Sequence, residues 1–292
     1  MQKNETGFTL IELSIVLVII GLIIGGVLVG TDMIRAAQIR AQISQIEKYN
    51  TATRTFQGKY GALPGDLNAQ VATQFGFVAR GNFAAQGDGN GIIQTTGCGG
   101  SSCPYNGGEQ TIGEQGLFWV DLSQVGLVEG GFNTATADSV NFSVTTPGAY
   151  SPEAKLGSGN YVYVWSGGVG TTGATTNGVN YFGISVITNV NGVFLGAKYS
   201  IPGTTVWQAY NIDQKIDDGF PQTGRVTVAY IVSSTAGYAK GPATFGPSDT
   251  SATSPSSTTC YDNGGAGGAT QQYSLSQSNG SGMNCALSFR FQ

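Results

Sequence analysis

The chain has 292 residues, which bounds it to one or two domains and is ample for a hydrophobic core. Only 10% of residues are charged, against roughly 25% in an ordinary soluble domain, while glycine fills 46 positions, the composition of a loop-rich exported protein. A net charge of -4 with 13 scattered basic residues gives no nucleic-acid footprint, and the absence of histidine removes the commonest general base, the commonest transition-metal ligand and every His-containing triad.

The first element is the run "GFTLIELSIVLVIIGLIIGG" at residues 7–26. From Leu13 to Gly30 the chain is uncharged for about 18 residues, close to the roughly 20 that cross a bilayer as a helix. That is long for a signal-peptide core, and no A-x-A cleavage site follows, so the segment is expected to stay with the mature protein. The pattern then becomes amphipathic: Ala36, Ile39, Ile43, Ile46, Asn50 and Thr53 recur at steps of three and four, with Arg35, Arg40, Glu47 and Lys48 between them. No proline interrupts residues 8–63, and stop signals come only at Gly58, Gly61 and the "LPGD" turn of Leu63 to Asp66. Some 50 helical residues make a rod of about 75 Å. Gly21, Gly25, Gly26 and Gly30 form two G-x-x-x-G spacings, which suit close helix packing in lipid or a point where the helix unwinds; the spacing leaves both open.

Glu12 stands near the start of this apolar run. Thr9 and Glu12 make a T-x-x-E capping box, with Phe8 and Leu13 placed for a hydrophobic staple. A carboxylate at the hydrocarbon centre costs about 2.5 to 3.5 kcal/mol, and less near the edge, so a partner cation would offset much of the cost. No Lys or Arg lies within helical reach inward of Glu12, and Lys3 sits upstream on a polar leader. A cut between Gly7 and Phe8 would create an α-amino group that a neighbouring copy could offer to this carboxylate.

The stretch "GFTLIELSIVLVIIGLI" resembles the class III signal of type IV prepilins and type II secretion pseudopilins: a short leader ending in Gly, then Phe, three residues, Glu and a long apolar helix. The resemblance implies that Gly7 precedes the cut made by a prepilin peptidase and that Phe8 becomes the N-methylated first residue. It implies that Glu12 pairs with the N-terminal amine of an adjacent subunit, and that Gly21 and the later glycines fall where the helix can melt in assembled pili. The proline often found in that stretch is absent. The implied layout is a leader at 1–7, a helix at 8–58 with its membrane part at about 8–30 and its amphipathic part at about 31–58, and a head at 59–292.

The resemblance covers the first sixty residues or so; the rest is read on its own terms as one α+β head. Cys98 with Cys103 and Cys260 with Cys285 fall as two local pairs outside zinc spacing, which reads as disulfides and an oxidising compartment. The "GDGNG" turn at Gly87 to Gly91 precedes the first pair. Within "TIGEQGLFWVDLSQVGLVEGG", Thr111 and Glu114 make a second capping box, and Phe118, Leu122 and Val125 keep helical spacing before Gly130 and Gly131.

Residues 160–232 hold most of the strand signal, in "NYVYVW", "VNYFGISVI", "GVFLGAKY" and "RVTVAYIV", with an "NVNG" turn before Val193. An antiparallel sheet of about four strands is expected. Between the third and fourth runs, Thr205, Ala209, Ile212 and Ile216 predict a helix stopped by Gly219 and Pro221. Its end carries Asp217 and Asp218, where the helix dipole disfavours negative charge. Lys215, Arg225 or solvation would compensate; a Ca²⁺ ion, known in some pseudopilin heads, is the sharper alternative, although no full EF-hand loop is present. Asp88 and Asn90 raise the same choice between a cation and a turn.

Residues 235–282 are dominated by Gly, Ser, Thr, Pro and Asn, with Cys260 and Cys285 bracketing the last part. Closing that loop contributes about 3 kcal/mol on the chain-entropy account. Its placement resembles the C-terminal disulfide loop of type IVa pilins. The closing "NCALSFRFQ" reads as an edge strand bearing Arg290.

The leading expectation is a structural subunit, not an enzyme, of a type IV pilus or type II secretion pseudopilus. Its expected partners are other copies or related pilins, the prepilin peptidase and methyltransferase, the inner-membrane assembly platform and, before assembly, the lipid bilayer; no nucleic acid is expected. The chain would be single-pass in the bacterial inner membrane with a periplasmic head, then part of an extracellular pilus or a periplasmic pseudopilus. The alternative is a minor or tip pilin acting as an adhesin or substrate-binding module, with Trp165 and Trp207 able to line a contact or, as the default, to pack in the core.

Overall fold

The computed structural model describes residues 9–80, 87–93, 113–136, 146–166, 178–191, 197–228, 231–232, 238–239, 254–264 and 271–291. Helix α1 runs unbroken from Leu10 to Tyr60, with Thr9 as its N-cap. It passes through Gly58 and stops at Gly61, whose φ of 80° is the left-handed conformation glycine adopts without strain and whose N–H returns to the Gln57 carbonyl. The apolar side chains from Leu10 to Ile34 are exposed, and full burial begins at Ile39. One half of α1 thus projects beyond the head and the other half is built into it.

The head follows as α2 (Ala69–Gln74), α3 (Gly113–Gln124), β1 (Asn160–Ser166), β2 (Asn180–Asn191), β3 (Ala197–Ile201), α4 (Val206–Ile216), β4 (Val226–Thr227), β5 (Ile231–Val232), β6 (Tyr238–Ala239), β7 (Tyr261–Asp262), β8 (Gln272–Tyr273) and β9 (Leu287–Arg290). The main sheet is antiparallel in the order β1-β2-β9-β4. Opposite β1, the other edge of β2 is shared: β9 takes Tyr181 to Ile184 and β3 takes the part from Val186 onward. β5 with β6, and β7 with β8, form two small ladders. The expected α+β layout, a long apolar helix followed by an antiparallel sheet, is the observed one.

Two expectations need correction. The closing segment is not an edge strand: β9 lies between β2 and β4, pairing Phe289 with both Phe182 and Val226. Its apolar positions Leu287 and Phe289 fill one face, while Ser288 on the other is buried and accepts a hydrogen bond from Trp165 Nε1 at 2.9 Å. The run "RVTVAYIV" is not one strand; it divides into β4 on the main sheet and β5 on a separate ladder. The "NVNG" turn falls on Gly192, outside the described residues, between strands that do pair antiparallel.

The main core joins Ile39, Ile46, Tyr49 and Phe56 of α1 to Phe118, Trp119 and Leu122 of α3, to Val164, Phe182 and Leu287 of the sheet, and to Val206, Ala209 and Ile212 of α4. Tyr49 meets Trp119 edge-on at 4.9 Å between ring centroids. A second cluster places Leu117 and Val120 of α3 with Tyr150, Tyr163, Trp165 and Ile187. Because α3 serves both clusters, every residue from Gly113 to Leu122 is buried, not only the Phe118 and Leu122 stripe that spacing suggests. Gly183 faces Tyr163 across the β1–β2 ladder, and a Cβ there would lie 2.2 Å from the ring, so this strand glycine is a packing requirement.

Cys260 and Cys285 are bonded, with Cα atoms 5.1 Å apart. Cys98 and Cys103 lie outside the described residues.

Candidate functional site

At the head of α1, both halves of the expected capping box form. The Glu12 N–H donates to Thr9 Oγ1 at 3.3 Å, while the Thr9 N–H and hydroxyl each donate to Glu12 Oε2 at 2.8 Å. Glu12 is exposed among exposed Leu10, Ile11 and Leu13. Among the described residues no cation forms a salt bridge with it. Gly7 and Phe8 lie outside the described residues. A Cβ added at Gly21, Gly25, Gly26 or Gly30 would meet nothing within 4 Å, so these glycines serve no contact among the described residues of this copy. By length and composition α1 is able to cross a membrane, and its most apolar stretch has no cover from the described residues of the head.

The stem enters the head through two glutamines that the apolar periodicity passes over. Gln42 Oε1 accepts from the Leu156 N–H at 3.2 Å, and Gln45 Oε1 from the Lys155 N–H at 3.1 Å. Gln45 Nε2 donates to the Glu153 carbonyl at 2.8 Å and to Tyr49 Oη at 2.9 Å. The signal was present in the spacing: Ile39, Gln42, Ile46, Tyr49, Thr53 and Phe56 are buried and follow steps of three and four. Beside them, Ala41, Ser44 and Lys48 line an open groove of about 580 Å³ with Phe132, Ser151 and Lys155. Lys48 bridges to Glu129 at 3.0 Å at this groove and holds that carboxyl below its usual range.

Two groups of three carboxylates occur among the described residues, Asp66 with Asp88 and Glu114, and Asp213 with Asp217 and Asp218, each with oxygens within 4.8 Å of one another. Main-chain amides engage both. Asp66 accepts from the Gly89 and Gly91 N–H groups at 2.8 Å each, and Glu114 from the Gly87 N–H at 2.8 Å. Asp88 accepts from the N–H and side-chain amide of Asn90, which itself accepts from the Ile92 N–H at 2.7 Å, so these two residues build the turn. Asp217 accepts from the Arg225 and Val226 N–H groups, and Asp218 from the Phe220 N–H and the Thr223 hydroxyl. Local dipoles thus meet the charge at the end of α4. Such acidic groups are common without a metal, and no cofactor is indicated.

In each group one buried carboxyl, Asp66 in the first and Asp213 in the second, is held above ordinary carboxylate behaviour. Burial pushes Asp66 up to about 6, against the two amides that favour its charged form. Burial also pushes Asp213 up to about 7, opposed by the hydroxyl of Tyr273, which donates to it at 2.7 Å. The folded state therefore keeps protons that the unfolded chain loses near its usual value of 3.8. That advantage is complete below about pH 4 and lost as pH rises through about 6 to 7. Melting temperature is expected to fall between pH 5 and pH 8, and the fall is expected to flatten in Asp66→Asn and Asp213→Asn; a melting temperature that rises over this range contradicts the assignment.

Residues 2–28 match the family model described as the prokaryotic N-terminal methylation motif. The chain carries the class III prepilin-type signal of type IV pilins and pseudopilins. No curated protein and no solved structure matches it.

Proposed function

We propose that this chain is a structural subunit of a type IV pilus or a type II secretion pseudopilus, processed at Gly7–Phe8 and assembled through α1. The observation that carries the reading is the methylation motif at residues 2–28, which runs into a helix whose apolar half no described part of its own head covers. In lipid that surface is solvated by acyl chains; in a filament the stems of other copies take their place. The leader would then be residues 1–7, and Glu12, which has no cation partner among the described residues, would receive the amine of Phe8 from a neighbour.

Intact mass measured on protein purified from the membrane of a cell with a prepilin peptidase is expected to lack residues 1–7 and to carry one added methyl group on Phe8. Retention of the leader sinks the reading, since a signal-anchored protein with an unrelated head keeps it.

A second reading, a minor or tip pilin that binds through its head, draws support from Trp207. Trp165 is buried, but Trp207 is 36% exposed at the start of α4. Exposed Met283 lies beside Gly282, whose carbonyl accepts from the Val206 N–H next to that tryptophan. Label along the whole filament or at one end separates the readings.

A further inference from the structure

The position of β9 makes the Cys260–Cys285 bond more than a closure of one loop. β9 is hydrogen-bonded on both sides, to Tyr181–Ile184 of β2 and to Val226–Thr227 of β4. Leu287 and Phe289 are buried in the main core, so this short strand completes the sheet from residues far away in the chain. A strand that contributes so many distant contacts can make the same contacts in another copy, and strand exchange then keeps the native pairing of the strand itself.

What limits exchange is the leash that leads to the strand. With the disulfide closed, Cys285 is fixed to Cys260, and only Ala286 lies between that anchor and Leu287. The other ties on Cys285 are backbone hydrogen bonds: the Gly203 and Thr204 N–H groups donate to its carbonyl at 3.1 and 2.9 Å, and the Thr204 carbonyl accepts from its N–H at 3.0 Å. With the disulfide open, only hydrogen bonds such as Val206 N–H to the Gly282 carbonyl and the Asn284 side chain to the Ser257 carbonyl hold the segment, and once they release the leash extends back to β8, which ends at Tyr273. About 13 residues at roughly 3.3 Å each then reach some 43 Å, far more than the spacing of about 4.8 Å between neighbouring strands.

We infer that the Cys260–Cys285 bond is a lock that keeps β9 in its own sheet, and that without it β9 is exchanged between copies of this chain. Setting the lock joins the two sulfurs and passes two protons and two electrons from the thiols to an oxidant of the thiol–disulfide class. The inference goes beyond the subunit reading and its test needs no filament, although stems that hold copies side by side would raise the local concentration at which exchange competes.

Directly opposed residues supply the test. Tyr181 and Arg290 are register partners across the β2–β9 ladder, at a separation a disulfide spans. Full-length chains bearing Tyr181→Cys are mixed in detergent micelles with chains bearing Arg290→Cys, refolded together and oxidised. In a Cys260→Ser/Cys285→Ser background the 181–290 cross-linked heterodimer is expected at least tenfold above its yield with the native bond present. Equal yields in the two backgrounds overturn the lock. So does the absence of heterodimer in the serine background, whether the head stays monomeric or unfolds.

Discussion

Glu12→Ala is expected to leave leader removal intact and to reduce filament incorporation at least tenfold. The carboxylate lies on an exposed apolar helix, and Thr9 is its only hydrogen-bond partner among the described residues. A charge in such surroundings is costly unless a cation meets it. The capping role makes a competing account, and two further substitutions separate them. Thr9→Ala removes the N-cap oxygen and costs the helix about 1 kcal/mol, yet keeps the charge, so assembly is expected to persist. Glu12→Gln preserves a capping residue at that position and removes the charge, so assembly is expected to fail as it does for alanine. Normal incorporation of the glutamine variant, measured by recovery of sheared filaments, would reject the ion pair and leave Glu12 a cap.

Within the head, Asp121→Ala is expected to destabilise by about 3 to 5 kcal/mol, because it leaves the Arg80 guanidinium buried without its counter-charge. Against a total stability of about 5 to 15 kcal/mol for a domain, that is a large fraction. Arg80 Nη2 donates to Asp121 Oδ2 at 2.6 Å, and both side chains are fully buried. Arg80 Nε and Nη1 donate to the Leu67 and Val78 carbonyls at 3.0 and 3.1 Å, while the Gly65 N–H donates to the same Asp121 oxygen at 2.7 Å. The pair therefore ties α3 to the residues on either side of α2. Burial alone raises the Asp121 carboxyl, and the Arg80 charge draws it back toward ionisation. The double variant Arg80→Met/Asp121→Leu is expected to recover most of the loss, since replacing a buried pair by apolar groups is often neutral. Urea unfolding of the three proteins measures this; equal losses in single and double variants would mean that packing, not the uncompensated charge, dominates.

Much of the stem is legible in the residues alone. The Thr9–Glu12 box closes over three residues, and a helix end at Gly61 needs only a glycine free to turn left-handed. The same holds for the strands β1 and β2, where aromatic and β-branched residues concentrate. The candidate site divides: Glu12 and its cap are local and readable, whereas no described part of the head covers the apolar stem.

Contacts that span the chain are a different matter. Arg80 and Asp121 are 41 positions apart, and Gln42 finds the Leu156 amide 114 positions away. No periodicity carries that information, because each of these polar groups looks solvated until distant backbone comes to meet it. The Tyr163 ring against Gly183 and the difference between buried Trp165 and half-exposed Trp207 belong to the same class.

The amino-acid sequence by itself determined the membrane-length helix, the processing signal at its start and the α+β character of the head, since apolar periodicity and three-residue caps act over one or two turns. Only the tertiary structure decided that β9 lies inside the sheet, that α3 is buried on every side and that Asp66 and Asp213 titrate high. Those outcomes depend on which distant segments exclude water from a given side chain, and that is settled when the whole head packs at once.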